Sequence, residues 1–388
     1  MSTETQPTVQ PSASQRTGQP VAVYLQCTNL GGMEKVAYSL FERLQTRGFT
    51  VNVASARVWG PGKSRLLAVD PAARAFDYQG KFGWRSFPAF RRHALALSKS
   101  SEKVWGIGCC ASCLVAALQT GRKVLLSHHY HHFENKLSRL RWMAFYLAFG
   151  AGLDTITYPT EFTRNEAIRI APWLKAKMHV VRNGYDVHYT TEEKRLADKQ
   201  AARAELQMPP DALLIGNGGW LIPRKRFDVF LRTAQQVSRR LPNAQFYICG
   251  GGPEENNLRN LARELGIAEK VHFQGWVSDM SPYYRAWDIQ LFNTDFDALG
   301  NTPLEAAGHG CLCVASCRYG GLSEFLKNGQ TGFLLDQHDP EKLAGFVIRL
   351  AQEPELALTI RRHAIEMLGQ KFSHETALEF YQAYFNRK

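Results

Sequence analysis

No stretch of the 388-residue sequence offers the roughly 20 uninterrupted apolar residues that a bilayer-spanning helix needs, which argues against an integral helical membrane protein. The first twenty residues, MSTETQPTVQPSASQRTGQP, have neither a basic n-region nor an apolar h-region. They read as a disordered tail over residues 1–19 rather than a secretory signal. Without export, the eight cysteines are expected as reduced thiols in a cytoplasmic setting, with no disulfide framework. Zinc-finger spacing and interleaved stacking aromatics are also missing, so nucleic acid is not an expected partner despite a formal charge of +12. A full G-x-G-x-x-G fingerprint is absent, which argues against a dehydrogenase.

The length exceeds what one hydrophobic core usually serves and predicts two domains. The positive charge suits an anionic partner such as nucleotide phosphates or a phospholipid surface. From Val21, short β-branched or apolar runs alternate with longer amphipathic stretches, the pattern of parallel α/β units. VAVYLQ at 21–26 leads through Gly31-Gly32 into a helix with Val36, Leu40 and Leu44 on one face, then VNVAS at 51–55. Strands are also expected at 123–129 and 154–159, with a basic and aromatic helix from Lys136 to Phe149 between them. A charged, apolar-poor segment from Asp186 to Pro210 marks the domain boundary. Strands resume at 212–219, 244–252, 270–276, 288–293 and 311–316. The domains are therefore read as 20–185 and 186–370, followed by a C-terminal helix at 371–388 that packs back on the first domain.

In parallel sheets ligands bind beyond the carboxyl ends of strands, so the residues there are the candidates. Gly31-Gly32 and Cys249-Gly250-Gly251-Gly252-Pro253 each lie between a strand and a helix, as phosphate loops do, though tight glycine connections explain them equally well. Arg224, Lys225 and Arg226 form a basic loop after the first strand of the second domain, on the edge where a diphosphate would lie. The segment from Asp295 to Ala306 is read as a loop from strand to helix that carries Asp297 and Glu305. Carboxylates so placed can accept charge-assisted hydrogen bonds from sugar or ribose hydroxyls, or simply favour the helix dipole. His128, His129, His131 and His132 cluster after the strand at 123–129, but no further ligand at zinc spacing accompanies them. One catalytic or orienting histidine is the preferred reading. Cys110-Ala-Ser-Cys113 and the pair Cys311 and Cys313 read as buried structural thiols. The helix Lys136–Phe149 combines Arg139 and Arg141 with aromatics, which fits either docking on an anionic membrane surface or packing on the sheet.

Taken in order, these residues resemble the retaining glycosyltransferases of the GT-B fold, in particular glycosyltransferase family 4. Leu30-Gly31-Gly32-Met33-Glu34 is similar to the N-terminal glycine turn of that family, and Asn183-Gly184-Tyr185-Asp186 to its N-G-x-D segment. Gly219-Trp220-Leu221 with Lys225 is similar to G-R-L-x-x-x-K, with tryptophan in the arginine position. Gly250 to Pro253, Gly275, and Gly320-Gly321 with Glu324 match further glycine motifs. Asp297 to Glu305 falls on E-x7-E, with aspartate first and Ala298 where glycine is usual.

The resemblance implies two Rossmann-like parallel-sheet domains facing an interdomain cleft. It also implies a nucleotide-sugar donor held by the C-terminal domain. The base would lie near Gly275, Trp276 and Val277 and the ribose on Glu305. Lys225 with Arg224 or Arg226, Gly251, the backbone of Gly300, Asn301 and Thr302, and the Gly31-Gly32 turn would surround the diphosphate. Asp297 would hold sugar hydroxyls, and His128 would stand close to the transferred sugar. No metal and no cofactor are implied, since fixed cations and helix N-termini meet the leaving-group charge. The acceptor would be a glycan or a lipid-linked molecule. A sugar-nucleotide epimerase, a sugar phosphorylase and a non-catalytic nucleotide-sugar-binding subunit are alternatives on the same fold.

Overall fold

The computed structural model describes residues 18–26, 31–56, 60, 62–76, 87–108, 111–129 and 136–387. Most of the expected N-terminal tail, Cys110, His131 and His132 lie outside the described residues. The chain forms two compact units, the first from Met1–His128, Phe145–Ile156 and Tyr381–Lys388, the second from His129–Ala144 and Thr157–Phe380.

Apolar runs form the strands of the first sheet: β1 (Gln19–Leu25), β2 (Phe49–Ser55), β3 (Arg74–Ala75), β4 (Lys103–Ile107), β5 (Lys123–Ser127), β6 (Thr155–Tyr158) and β7 (Met178–Val180). Their spatial order is β3-β2-β1-β4-β5-β6-β7, with β1 parallel to both β2 and β4. Successive residues Val21 to Leu25 are all buried, as a strand covered on both faces requires. The helix Gly32–Thr46 buries Ala37, Leu40, Phe41 and Leu44, so the expected apolar face is present with Val36 at its margin. Within the first unit, the end of the helix His374–Asn386, from Tyr381 onward, brings Tyr381 to 4.6 Å from Trp105, ring centre to ring centre, and Phe385 to 6.0 Å from Phe49. Lys103 Nζ donates to the carbonyls of Tyr384 at 2.5 Å and Phe385 at 3.3 Å, satisfying acceptors that a helix end leaves open.

The second sheet comprises β8 (Leu214–Gly218), β9 (Gln245–Cys249), β10 (Val271–Gly275), β11 (Ile289–Asp297), β12 (Leu312–Gly320) and β13 (Phe333–Leu335). It runs β10-β9-β8-β11-β12-β13, parallel at every pairing. Phe230, Leu231, Ala234 and Val237 of the helix Phe227–Arg240 pack on Phe246, Ile248, Leu291 and Val314 of the sheet. Each of these side chains other than that of Ala234 contributes about 1.5–3 kcal/mol on burial. Asp295 and Asp297 are not in a loop, as the sequence suggested. β11 continues through them because β12 continues alongside, pairing Phe296 with Tyr319 and Asp297 with Gly320. The two units are thus Rossmann-like, and each sheet reverses its winding once, between β1 and β4 and between β8 and β11. Such a switch point is where an open parallel sheet leaves a crevice for a ligand.

Candidate active site

At the β8–β11 switch point the strands pair only at Ile215 with Ile289 and Gly216 with Gln290, and then diverge. The chain leaving β8 makes a short 3-10 turn, Pro223–Lys225, and three basic side chains from this loop meet the end of β11. Lys225 Nζ donates to Asp297 Oδ2 at 2.7 Å and lies 5.2 Å from the centre of the Phe292 ring. Arg224 donates to the Phe296 carbonyl at 2.8 Å and stacks over the Phe296 ring at 4.7 Å. Arg226 is committed elsewhere, with a two-pronged pair to Asp228 at 2.9 and 2.9 Å and a bond to Asp295 at 3.3 Å. Of the two arginines flanking Lys225, Arg224 is therefore the one directed at the Asp297 end of the crevice. Burial pushes the Asp297 carboxyl up, but Lys225, Arg224 and the Gly300 N–H outweigh it and hold the group below the usual aspartate value. It is a carboxylate at neutral pH.

Asp297 also organises the turn that follows. Its Oδ1 accepts from the Gly300 amide at 3.0 Å, and Gly300 takes the left-handed conformation, φ 79° and ψ 76°, that starts the helix Asn301–Gly308. The Ala298 carbonyl accepts from Thr160 Oγ1 and from the Gly321 amide, both at 3.2 Å, which fixes the other side of the turn. Asn301 Oδ1 accepts from Tyr185 at 2.6 Å and Asn183 at 3.1 Å, so the N-G-x-D segment supports the first residue of this helix. The Thr302 hydroxyl is buried without a protein partner. One turn on, Glu305 Oε2 accepts from Tyr284 at 3.2 Å. Burial, reinforced by the Glu305 charge, pushes the Tyr185 and Tyr284 phenols well up, so both remain donors.

The glycine run after β9 is a packing device at two of its three positions. A Cβ on Gly250 would stand 1.8 Å from the Gly219 carbonyl oxygen, and one on Gly252 2.4 Å from that of Leu221. Only glycine lets the loops after β8 and β9 touch backbone to backbone. Gly251 faces open space. Trp276 follows β10 and Trp220 follows β8, and both indoles are about half exposed, 51% and 55%. They meet edge to face with ring centres 5.6 Å apart. Val277 is partly buried on the cluster that holds Tyr284 and Trp287.

Apart from Cys311 and Cys313, the remaining candidates belong to the first unit or to its margin. Gly31 caps the helix whose first residue is Gly32, and the buried Glu34 carboxylate lies 2.6 Å from where a Gly31 Cβ would be. An acidic side chain thus sits at this turn. His128 follows β5 and is buried, with its ring 6.3 Å from that of Tyr146. The next residue, His129, is only part-buried by surface area, yet desolvation lowers its pKa to about 4 and keeps it neutral. Cys311 and Cys313 are buried free thiols, the latter in β12. Among the described residues no group of three His, Cys, Asp or Glu converges as a metal site would require.

Sequence reasoning missed the support around the motif. The left-handed Arg226, its partner Asp295, and His338 behind Asp295 carry no motif, and only the fold brings them together. Tyr185 could have been found, because it lies inside the N-G-x-D segment.

Residues 198–367 match the sequence model of the family described as Glycosyl transferases group 1, and residues 30–189 match that of Glycosyltransferase Family 4. The chain is 30% identical over 179 residues to the lipopolysaccharide core biosynthesis glycosyltransferase LpsE of Rhizobium meliloti, covering 46% of this chain and 51% of that protein. It is 31% identical over 224 residues to D-inositol 3-phosphate glycosyltransferase 2 of Catenulispora acidiphila, covering 55% of this chain and 51% of the other. The chain therefore spans about half the length of these curated relatives. The crystal structure of Anabaena HepE in complex with UDP-glucose superposes with a TM-score of 0.79 at 18% identity, covering 94% of this chain and 98% of that one, a likeness of fold. With a parallel sheet that reverses its winding once in each half and a family match over each half, the chain belongs to the GT-B glycosyltransferases of family 4.

Proposed function

We propose that the chain is a retaining glycosyltransferase that moves a hexose-type sugar from a nucleotide-sugar donor to a glycan or lipid-linked acceptor. The observation that carries this reading is the cluster of Lys225, Arg224, Asp297 and the start of the helix Asn301–Gly308 at the β8–β11 switch point. Cleaving the anomeric bond places negative charge on the departing diphosphate. Lys225 can keep one N–H on Asp297 and turn another to a phosphate oxygen, since an ammonium has three donors. Arg224 and the amides of Gly300, Asn301 and Thr302 add positive potential at the same place. These groups take the part that a metal plays in other transferases, and no cofactor is needed. The Thr302 hydroxyl is a further donor awaiting a partner.

Glu305 would hold the ribose, presented by Tyr284, and the base would lie against Trp276 and Val277 with Gly251 giving open approach. Asp297 would bind sugar hydroxyls through lone pairs that Lys225 and Gly300 leave over. In the retaining step the bond from the anomeric carbon to the phosphate oxygen breaks on the face where the acceptor oxygen bonds. The acceptor proton passes to that phosphate oxygen, so charge and atoms balance. The similarity to a lipopolysaccharide core biosynthesis glycosyltransferase and to a D-inositol 3-phosphate glycosyltransferase supports glycoconjugate synthesis as the setting. No helix among the described residues is long and apolar enough to cross a membrane, and cytoplasmic contact with an anionic membrane surface through the helix Lys136–Phe149 completes the proposal.

The test is a panel of UDP-, GDP- and ADP-sugars. A true donor at 100 times its Kd should stabilise the protein against heat by about 2.7 kcal/mol. With a labelled donor and acceptor glycans, NMR of the product should then show a new glycoside of unchanged anomeric configuration. Inversion would overturn the retaining assignment. Binding without any transfer would favour the non-catalytic subunit, and an altered donor formed without acceptor would favour an epimerase.

A further inference from the structure

Three consecutive residues of the loop after β8 are each tied to one of three consecutive residues of β11. Arg224 is tied to Phe296, Lys225 to Asp297 and Arg226 to Asp295. Strand pairing does not set this register, because β8 and β11 part company after Gly216 and Gln290. Asp295 and Asp297, two apart on a strand, point to the same side of the sheet and receive adjacent basic residues.

Arg226 is one of two non-glycine residues with positive φ among those described, at φ 45° and ψ 44°. A side chain in this conformation is sterically strained and persists only where its surroundings over-determine it. Here the guanidinium is held by Asp228 and Asp295, and the residue both closes the turn Pro223–Lys225 and opens the helix Phe227–Arg240. Its backbone thus sets the direction in which Lys225 leaves the loop.

Asp295 is braced from behind. His338 Nε2 lies 3.1 Å from Asp295 Oδ1, His338 Nδ1 lies 2.7 Å from Ser316 Oγ, and Ser316 Oγ accepts from Asn293 Nδ2 at 2.8 Å. The serine proton then goes to Nδ1, and Nε2–H donates to the carboxylate. The Ser-His-Asp order resembles a nucleophilic triad, but Ser316 is fully buried and already engaged, so the array is a strut. Arg318 adds a distant charge at 3.9 Å.

We propose that Asp295 is a positioning residue for the donor diphosphate: by clamping the left-handed Arg226 it aims Lys225 into the crevice. The inference rests on the reading of Lys225 as a diphosphate ligand.

The experiment compares binding of UDP, GDP and ADP with binding of uridine, guanosine and adenosine, by calorimetry, in the wild-type protein and its variants. Asp295→Asn should weaken the nucleoside diphosphate that the wild-type protein binds by about tenfold, leave the matching nucleoside within twofold, and leave the thermal midpoint nearly unchanged. Glycine adopts positive φ without a clamp. In an Arg226→Gly background the same replacement should therefore change diphosphate affinity less than twofold, a non-additivity that a general structural role would not produce. Equal losses in both backgrounds, or equal losses for nucleoside and diphosphate, would overturn the positioning role while leaving the donor site intact. A wild-type protein that binds none of the three diphosphates would overturn the donor reading itself, and this inference with it.

Discussion

At the scale of single residues, Asp297 makes two contacts at once. One oxygen faces Lys225, and the other caps the turn at Gly300. Asparagine keeps an acceptor for the Gly300 amide and loses the charge, whereas alanine loses both. Asp297→Asn should therefore hold the thermal midpoint close to wild type while turnover falls about ten- to 150-fold, the worth of one charge-assisted hydrogen bond of ~1.5–3 kcal/mol. Asp297→Ala should add a loss of stability. Equal, small effects of both on donor kinetics would mean that the carboxylate serves only the turn. The pH dependence has a definite sign. A carboxyl held below its usual value contributes stability that is fully present above about pH 3.9 and is lost as pH falls further. Any acid limb of activity between about pH 5 and 8 must then come from another group, and Asp297→Asn should leave that limb where it is.

At the scale of elements, the helix Lys136–Phe149 carries an outward apolar stripe. Tyr146 is buried, but Leu137, Leu140, Met143 and Leu147, spaced three, three and four apart, are exposed by 56, 57, 36 and 62% with Arg139 and Arg141 beside them. Co-sedimentation with vesicles containing phosphatidylglycerol, and much less with pure phosphatidylcholine, is the expected outcome, weakening as salt rises. Leu140→Asp and Leu147→Asp should each reduce binding about tenfold or more, since burying one leucine is worth ~1.5–3 kcal/mol. Equal binding by wild type and both variants would remove the stripe from the interface. Elements with continuous apolar runs, such as β1, β5 and β9, were legible in the sequence, because burial on both faces leaves an unmistakable signal. β3, with two residues, and β7 and β13, with three each, are too short for any periodicity to register. The last residues of β11, Asp295 to Asp297, read as loop in the sequence, since their strand character comes from the backbone of β12. The motif residues of the site were legible by type and order. The clamp on Arg226 was not, because no residue type announces a left-handed arginine.

At the scale of the whole molecule, the first unit is closed by residues from both ends of the described chain. Trp105 packs on Tyr381 and Phe385, Phe49 packs on Phe385, and Gln19 Nε2 donates to the Phe385 carbonyl at 2.7 Å. Removing Tyr381–Lys388 strips several buried aromatic contacts worth about 1.5–3 kcal/mol per side chain from a unit whose total stability is of order 5–15 kcal/mol. Hydrogen exchange should then accelerate through β1, β2 and β4 while β8 to β12 keep their protection. Unchanged protection in β1 and β4 would show that the contacts are dispensable. Lys103 and Tyr384, which meet in this core, are 281 residues apart in sequence. At a synthesis rate of about 5–20 residues per second, the ribosome needs roughly 15–55 s to travel from one to the other. The second unit, apart from residues 129–144, is drawn from the continuous stretch Thr157–Phe380 and is fully translated before the last aromatic partners of the first emerge. Order of translation and order of completion are thereby reversed, and the half-built N-terminal sheet is the surface that a nascent-chain chaperone would meet.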